Sequence, residues 1–230
     1  MSEVYPVFLT GLHRRRCLVL GGGAEAERKV QGLLAARAAV TVISAEVTPA
    51  LRAWAEAGTI AWIPRPYRPG DLQGAFLVIA TAQDRETVAQ LQQEAEAAGA
   101  LLNVVDDPAH STFLAGAVLR RGALTVAIST GGGAPALAVR LRQRLERLLG
   151  PEYGELLALL QRLRPLLAAR YPDFAQRRAL WYALLDATLP LLEQGRLEQM
   201  RQQLAALLDP ELLAALDAEA APAAASLQPD

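Results

Sequence analysis

One cysteine, two histidines and a single lysine are all that these 230 residues hold of three chemically versatile types, and each scarcity excludes something. Cys17 cannot close an internal disulfide and sits in an apolar run, which suits a reduced compartment. His13 and His110 are far apart in the chain, and no His, Cys or acidic grouping has zinc or iron–sulfur spacing, so no resident metal site is expected. Lys29 is the only lysine among the 23 basic residues; a coding bias toward arginine explains this more simply than a demand for guanidinium groups. The net charge of −1 gives no electrostatic reason to expect nucleic acid or an anionic membrane as partner. No apolar run reaches the roughly 18–20 residues of a membrane span. Arg14, Arg15 and Arg16 precede only a strand-length run, so the basic-then-apolar pattern of a signal peptide is missing. These absences describe a soluble, cytoplasmic protein. What the chain has in plenty is apolar surface, 52% of its residues, enough for a packed core.

The first half alternates short apolar runs with helical patterns, which argues for an α/β fold with a Rossmann-like parallel sheet. Strands are expected over 17–20, 40–43, 60–63, 76–80 and 102–105, the fourth buried on both faces by its unbroken apolar character. Helices are expected over 24–36, from Thr48-Pro49 to about 57, and from Asp84 to about 98, where Gly99 stops the last. The rhythm then changes. Two strands, 113–119 and 124–129, flank a turn at Arg121-Gly122, and a helix follows over 134–149. Beyond Pro151 no strand signal remains, and the leucine-rich segments 152–169, 174–193, 196–207 and one from Glu211 are helical. The expected organisation is therefore a sheet domain over 1–112, a small α+β dimerisation and active-site region over 113–150, an α-helical domain over 151–218 and a frayed tail over 219–230. No internal repeat is present.

Gly21-x-Gly23-x-x-Ala26 follows a predicted strand and opens a predicted helix, the setting of a dinucleotide fingerprint. Gly21 permits the tight turn, Gly23 has no Cβ to obstruct a pyrophosphate, and Ala26 lets helix and strand pack closely. Free N–H groups and the helix dipole face the anion. Gly21, Gly22, Gly23, Ala24 and Glu25 are thus candidate cofactor contacts. A ribose-binding carboxylate is expected about 20 residues past the first glycine, where Ser44 stands instead. Either Glu46 reaches back or the backbone around Ala45 contributes, and Glu46 reads equally well as a solvated loop acid. No Arg or Lys lies at 44–48 to welcome a 2′-phosphate, which favours NAD over NADP.

Further motifs accompany this loop: Tyr5-Pro6-Val7-Phe8-Leu9, Leu18-Val19-Leu20 before the glycines, Ala26-Glu27-Arg28-Lys29 in the helix, Asn103-Val104-Val105-Asp106, and the run from Val126 to Pro135 around Ser129-Thr130-Gly131-Gly132-Gly133. Together they resemble the precorrin-2 dehydrogenase/sirohydrochlorin ferrochelatase family, which includes the N-terminal part of siroheme synthases. The resemblance covers residues 4–150; residues 151–218 resemble only the family's helical part, and too few residues remain for its fused methyltransferase. It implies NAD-dependent oxidation of precorrin-2, in some members ferrous iron insertion as well, and a homodimer whose interface is built largely by 113–150. It also implies that Asp106 is the key acid/base residue. A serine that some members phosphorylate falls on Thr130, which keeps the hydroxyl.

On topology alone Asp106 ends the fifth strand at the carboxyl edge of the sheet, where open α/β sheets bind ligands; Asp106-Asp107-Pro108 is also a good turn sequence. A polycarboxylate macrocycle calls for cations and backbone N–H groups. Arg120, Arg121 and Arg140 are candidate clamps, with Arg142 beside them, although solvation is an arginine's commoner fate. Ser129, Thr130, Gly131 and Gly132 form a second anion-ready helix start, which close dimer packing would equally explain. The competing reading is a nucleotide-sensing regulatory module without catalysis, which would need the fingerprint but neither the Asn103–Asp106 motif nor the second glycine triplet.

Overall fold

A computed structural model describes residues 4–81 and 83–220. Two compact units divide the chain, one made of residues 1–116 and 129–136, the other of 117–128 and 137–230.

The first unit is a five-stranded parallel sheet, β1 (Arg16–Leu20), β2 (Ala39–Ile43), β3 (Ala61–Ile63), β4 (Leu77–Ala80) and β5 (Leu101–Val104), in the order β3-β2-β1-β4-β5. Successive strand residues point to opposite faces. Cys17 and Val19 therefore pack with Val40, Val42, Leu77 and Ile79 beneath Ala26, Val30 and Leu33 of α1 (Ala24–Leu34) and Leu51 of α2 (Pro49–Glu56). Leu18, Leu20, Val78, Ala80 and Leu102 face the other way, under Val88, Leu91 and Ala95 of α3 (Arg85–Ala98). Both faces are covered, so the central strands read as unbroken apolar runs. The Thr48 hydroxyl accepts from the Leu51 N–H to cap α2, and the Asp84 carboxylate accepts from the Thr87 N–H at 2.8 Å to cap α3. Burial of Cys17 pushes its thiol pKa up.

Two expectations need correcting. The hairpin's first strand, expected over 113–119, is Ala117–Arg121. Residues 111–113 are engaged instead as a strap along β5: the Thr112 N–H donates to the Leu102 carbonyl at 2.7 Å, the Leu102 N–H to Thr112 Oγ1 at 2.8 Å, and Asn103 Nδ2 to the Phe113 carbonyl at 3.0 Å. β5 itself ends at Val104, because the Asp107 N–H turns back to the Val104 carbonyl at 3.1 Å. Asp106 thus lies in a turn beyond the strand.

The second unit holds the antiparallel hairpin of β6 (Ala117–Arg121) and β7 (Leu124–Ile128), most of α4 (Pro135–Leu148), and α5 (Glu152–Arg170), α6 (Phe174–Glu193), α7 (Leu197–Leu207) and α8 (Pro210–Ala220). Leu163, Leu167, Leu184, Leu204, Leu208, Leu212 and Leu216 form its main core. The turn between β6 and β7 packs so closely on α5 that a Cβ on Gly154 would stand 2.9 Å from the Arg121 carbonyl. Of the expected tail, residues 219 and 220 belong to α8; residues 221–230 lie outside the described residues. No helix among the described residues is long and apolar enough to cross a membrane.

Candidate functional site

At the carboxyl edge of the parallel sheet a cavity of about 640 Å³ opens over β1, its floor set by Leu20 and the ends of β2 and β4. This is within the range of a small-molecule site, ~300–1,000 Å³. Gly21, Gly22, Gly23, Ala24 and Glu25 line one side, Ser44 and Ala45 a second, Pro66 and Tyr67 a third, and Thr81, Gln83, Val105 and Asp106 the remainder.

The three glycines do different work. Gly21 has φ +116°, and a Cβ there would collide with Thr81 Oγ1, a hydroxyl fixed by donation to the Leu20 carbonyl at 3.1 Å. Gly22 lies directly against the Glu46 carbonyl, and its own carbonyl accepts from the Thr48 N–H at 2.9 Å, which ties the loop to the turn after β2. Gly23 has an ordinary φ of −81° and nothing within 4 Å of where a Cβ would stand. Its carbonyl accepts the first α1 hydrogen bond, from Glu27 N–H at 3.0 Å. Space beside Gly23, backbone N–H groups and the N-terminus of an eleven-residue helix together make a cradle suited to a pyrophosphate. Glu25 puts a carboxylate in that first turn, and the adjacent Arg28 guanidinium, with Lys29 Nζ at 3.2 Å, holds its pKa below the usual range. Those two cations offset its charge beside the cradle.

At the expected ribose end, Ser44 and Ala45 line the cavity and Glu46 does not. The Ser44 hydroxyl donates to the Glu46 carbonyl at 2.7 Å, and Trp62 Nε1 donates to the Ser44 carbonyl at 2.9 Å. The Glu46 backbone, not its side chain, is what the glycine loop packs against. Of the two options left open by the sequence, the geometry brings the backbone around Ala45 to the cavity.

Asp106 is the one described carboxylate besides Glu25 that lines this space. It is exposed and adopts φ +63°, a left-handed conformation that Asp tolerates better than most residues. Its neighbour Asp107 is structural: its carboxylate meets His110 Nδ1 at 2.7 Å and accepts from the His110 N–H at 3.3 Å, capping the short turn Pro108–His110. A Cβ on Gly132 (φ +81°) would press on Pro108 Cγ at 3.1 Å, so the second glycine triplet packs against the segment that carries Asp106. Here Ser129 Oγ accepts from the Gly131 N–H at 3.1 Å, and Thr130 Oγ1 accepts from the Ala134 N–H at 3.2 Å.

The expected arginines belong to the second unit. Arg121 is committed to structure: Nε donates to the Leu149 carbonyl at 2.8 Å and its terminal nitrogens to Glu146 and Arg120 carbonyls at 3.1 Å, closing the end of α4. Among the described residues Arg120 reaches only Thr125 Oγ1 at 3.5 Å, and Arg140 only Gln143 Oε1 at 3.4 Å. Arg142 pairs with Glu146.

Sequence reasoning missed Thr81, Gln83, Pro66 and Tyr67. Thr81 could have been found as the residue following β4 at the sheet's carboxyl edge. Tyr67 could not, because its place depends on long-range contacts. Its hydroxyl donates to Glu94 of α3, and burial together with that carboxylate drives the phenol pKa well above its ordinary value. The loop before it is held by Arg65, whose fork meets both Asp71 oxygens at 2.6 and 2.7 Å.

Three family models match in succession: an NAD(P)-binding family over residues 8–117, the sirohaem biosynthesis protein central region over 121–148, and the sirohaem synthase dimerisation region over 152–208. Siroheme synthase 1 of Aeromonas salmonicida is 42% identical over 185 residues, 80% of this chain and 39% of its own length. Siroheme synthase of Chromobacterium violaceum is 40% identical over 187 residues, 81% of this chain and 40% of its own. The chain thus spans about two fifths of the length of these relatives. A solved structure described as SirC, precorrin-2 dehydrogenase, has the same fold, with a TM-score of 0.68 and 24% identity, covering 89% of this chain and 98% of that one.

Proposed function

We propose that the chain belongs to the siroheme synthase family, as its three successive family models and its siroheme synthase relatives support, and that it is an NAD-dependent precorrin-2 dehydrogenase, oxidising precorrin-2 to sirohydrochlorin in siroheme biosynthesis. The observation that carries the proposal is the single cavity that joins a dinucleotide cradle to the Asp106 carboxylate.

Oxidation removes a hydride from one ring position and a proton from another. NAD, when bound, supplies the hydride acceptor. Gly21, Gly22, Gly23, Ala24 and the backbone around Ala45 hold it, with Glu25 beside them, and the Glu46 backbone packs against Gly22. Asp106 accepts the proton at a carboxylate oxygen and passes it to solvent, to which it is open. The 129–132 segment offers the Ser129 and Thr130 hydroxyls and backbone N–H groups to substrate carboxylates. Arg120 and Arg140 are the candidate clamps for those carboxylates, since the Arg121 fork already serves the carbonyls at the end of α4. Ferrous iron, the second substrate that the resemblance implies, would be met by Asp106 and the macrocycle nitrogens. We further propose a cytoplasmic homodimer.

The test is anaerobic turnover of precorrin-2 with NAD by the unchanged protein and by Asp106→Asn. Loss of turnover in the variant with NAD affinity kept within about 3-fold, ~0.6 kcal/mol, supports the assignment; full turnover removes Asp106 from the mechanism. Tight NAD binding without turnover in the unchanged protein would favour the regulatory module. Ferrous iron added to the product tests metal insertion separately.

A further inference from the structure

The opposite, amino-terminal edge of the same sheet carries a second cleft, of about 510 Å³, over the starts of β1, β2 and β3. His13, Arg14, Arg15, Arg16, Thr41 and Thr59 are among the residues that line it, and no carboxylate does. Arg14–Arg16 is the only run of three consecutive cations in the sequence, and His13 and all three arginines are exposed. Their partners orient them without neutralising them. Arg14 Nε donates to His13 Nε2 at 3.0 Å, the Arg15 guanidinium lies 4.5 Å from the centre of the Phe76 ring, and Arg16 donates to the Gln73 carbonyl at 2.6 Å. Among the described residues no acid lies within 4 Å of any of the three, whereas Arg28, Arg65, Arg142, Arg170 and Arg201 each have a carboxylate partner.

We infer that this cleft is a binding site for a small polyanion, a polyphosphate or polycarboxylate, distinct from the nucleotide cavity. Arg14 uses Nε toward His13 and so keeps its terminal NH₂ groups for an anion. Thr41 and Thr59, which also line the cleft, bring hydroxyls as neutral donors. Charge-assisted bonds from a planar guanidinium suit phosphate and carboxylate oxygens. The site does not depend on the reading of the nucleotide cavity.

The two histidines make the test direct, because each reports one edge of the sheet: His13 this cleft, His110 the turn beside Asp106. The imidazole proton signals of the full chain are followed during titration with inorganic pyrophosphate, and separately with citrate, at about 0.1 M salt, with His13→Gln assigning the signals. The expected result is a saturable shift of the His13 signal that weakens at least ~10-fold in Arg14→Ala and persists when NAD is saturating. Saturation by pyrophosphate or by citrate alone identifies the phosphate or carboxylate source. A His13 signal that stays put or drifts without saturating, or an affinity unchanged in a folded Arg14→Ala protein, overturns the inference.

Discussion

Gly22 and Gly23 are adjacent and chemically identical, yet the fold needs the first and the proposed cofactor site the second. A methyl group on Gly22 has no room beside the Glu46 carbonyl, whereas one on Gly23 meets nothing within 4 Å. Gly22→Ala should therefore destabilise the sheet unit by at least ~2 kcal/mol, read as a lowered melting temperature. Gly23→Ala should hold stability within ~1 kcal/mol and instead weaken NAD binding at least ~10-fold, because its methyl occupies the space left for the pyrophosphate. Equal stability losses for the two would contradict this division. The glycine motif was legible in the sequence because its chemistry is local. Gly22's partner was not, since the Glu46 backbone comes within reach only when β1 and β2 pair. The same limit applies to Asp106, whose place in the chain could be read but whose left-handed turn could not. Its neighbour's bond to His110, and the Pro108 contact with Gly132, fix that turn from outside the motif.

At the scale of elements, the segment between β3 and β4 forms a wall of the cavity without regular structure of its own. Arg65 and Asp71 staple it, and the Arg65 guanidinium, helped by the Arg68 N–H, holds the Asp71 carboxyl below the usual carboxylate range. Since the folded pKa lies below the unfolded one, Asp71 stabilises when ionised. That contribution is complete above about pH 4 and is lost as pH falls through its lowered value. Asp71→Asn should thus lower stability in urea melts at pH 7 and flatten the loss between pH 4 and pH 2; a parallel curve would show the staple to be idle. In the second unit, Arg121→Ala should cost about 1–3 kcal/mol, read by thermal unfolding, because the Glu146 and Leu149 carbonyls at the end of α4 lose their donor. Hydrophobic periodicity and capping residues sufficed for the elements themselves: Asp84, Gly99 and Thr48-Pro49 mark their boundaries in sequence. The strap over 111–113 meets the expected strand only at Phe113. Its apolar Phe113 carried the pattern, while its hydrogen bonds run to β5 through Thr112 and Asn103 rather than to β7.

For the whole molecule, the chain crosses between its units three times, so that residues 129–136 belong with the sheet and 117–128 with the helices. Linear reading divides a chain at composition changes and cannot see such an exchange. On α4, Leu137, Leu141 and Leu148 are 53%, 40% and 63% exposed, an apolar stripe at helical spacing that suits the proposed homodimer. Leu137→Arg with Leu141→Arg should convert a dimer to a monomer in light scattering, with little change in melting temperature; a dimer that survives the double change has its interface elsewhere. Redox chemistry at one cavity has a stoichiometric test. Anaerobic precorrin-2 and NAD should yield NADH and sirohydrochlorin in equal amounts with the unchanged protein, and neither with Asp106→Asn. Nucleotide binding without NADH formation, under conditions where precorrin-2 remains intact, would contradict the account.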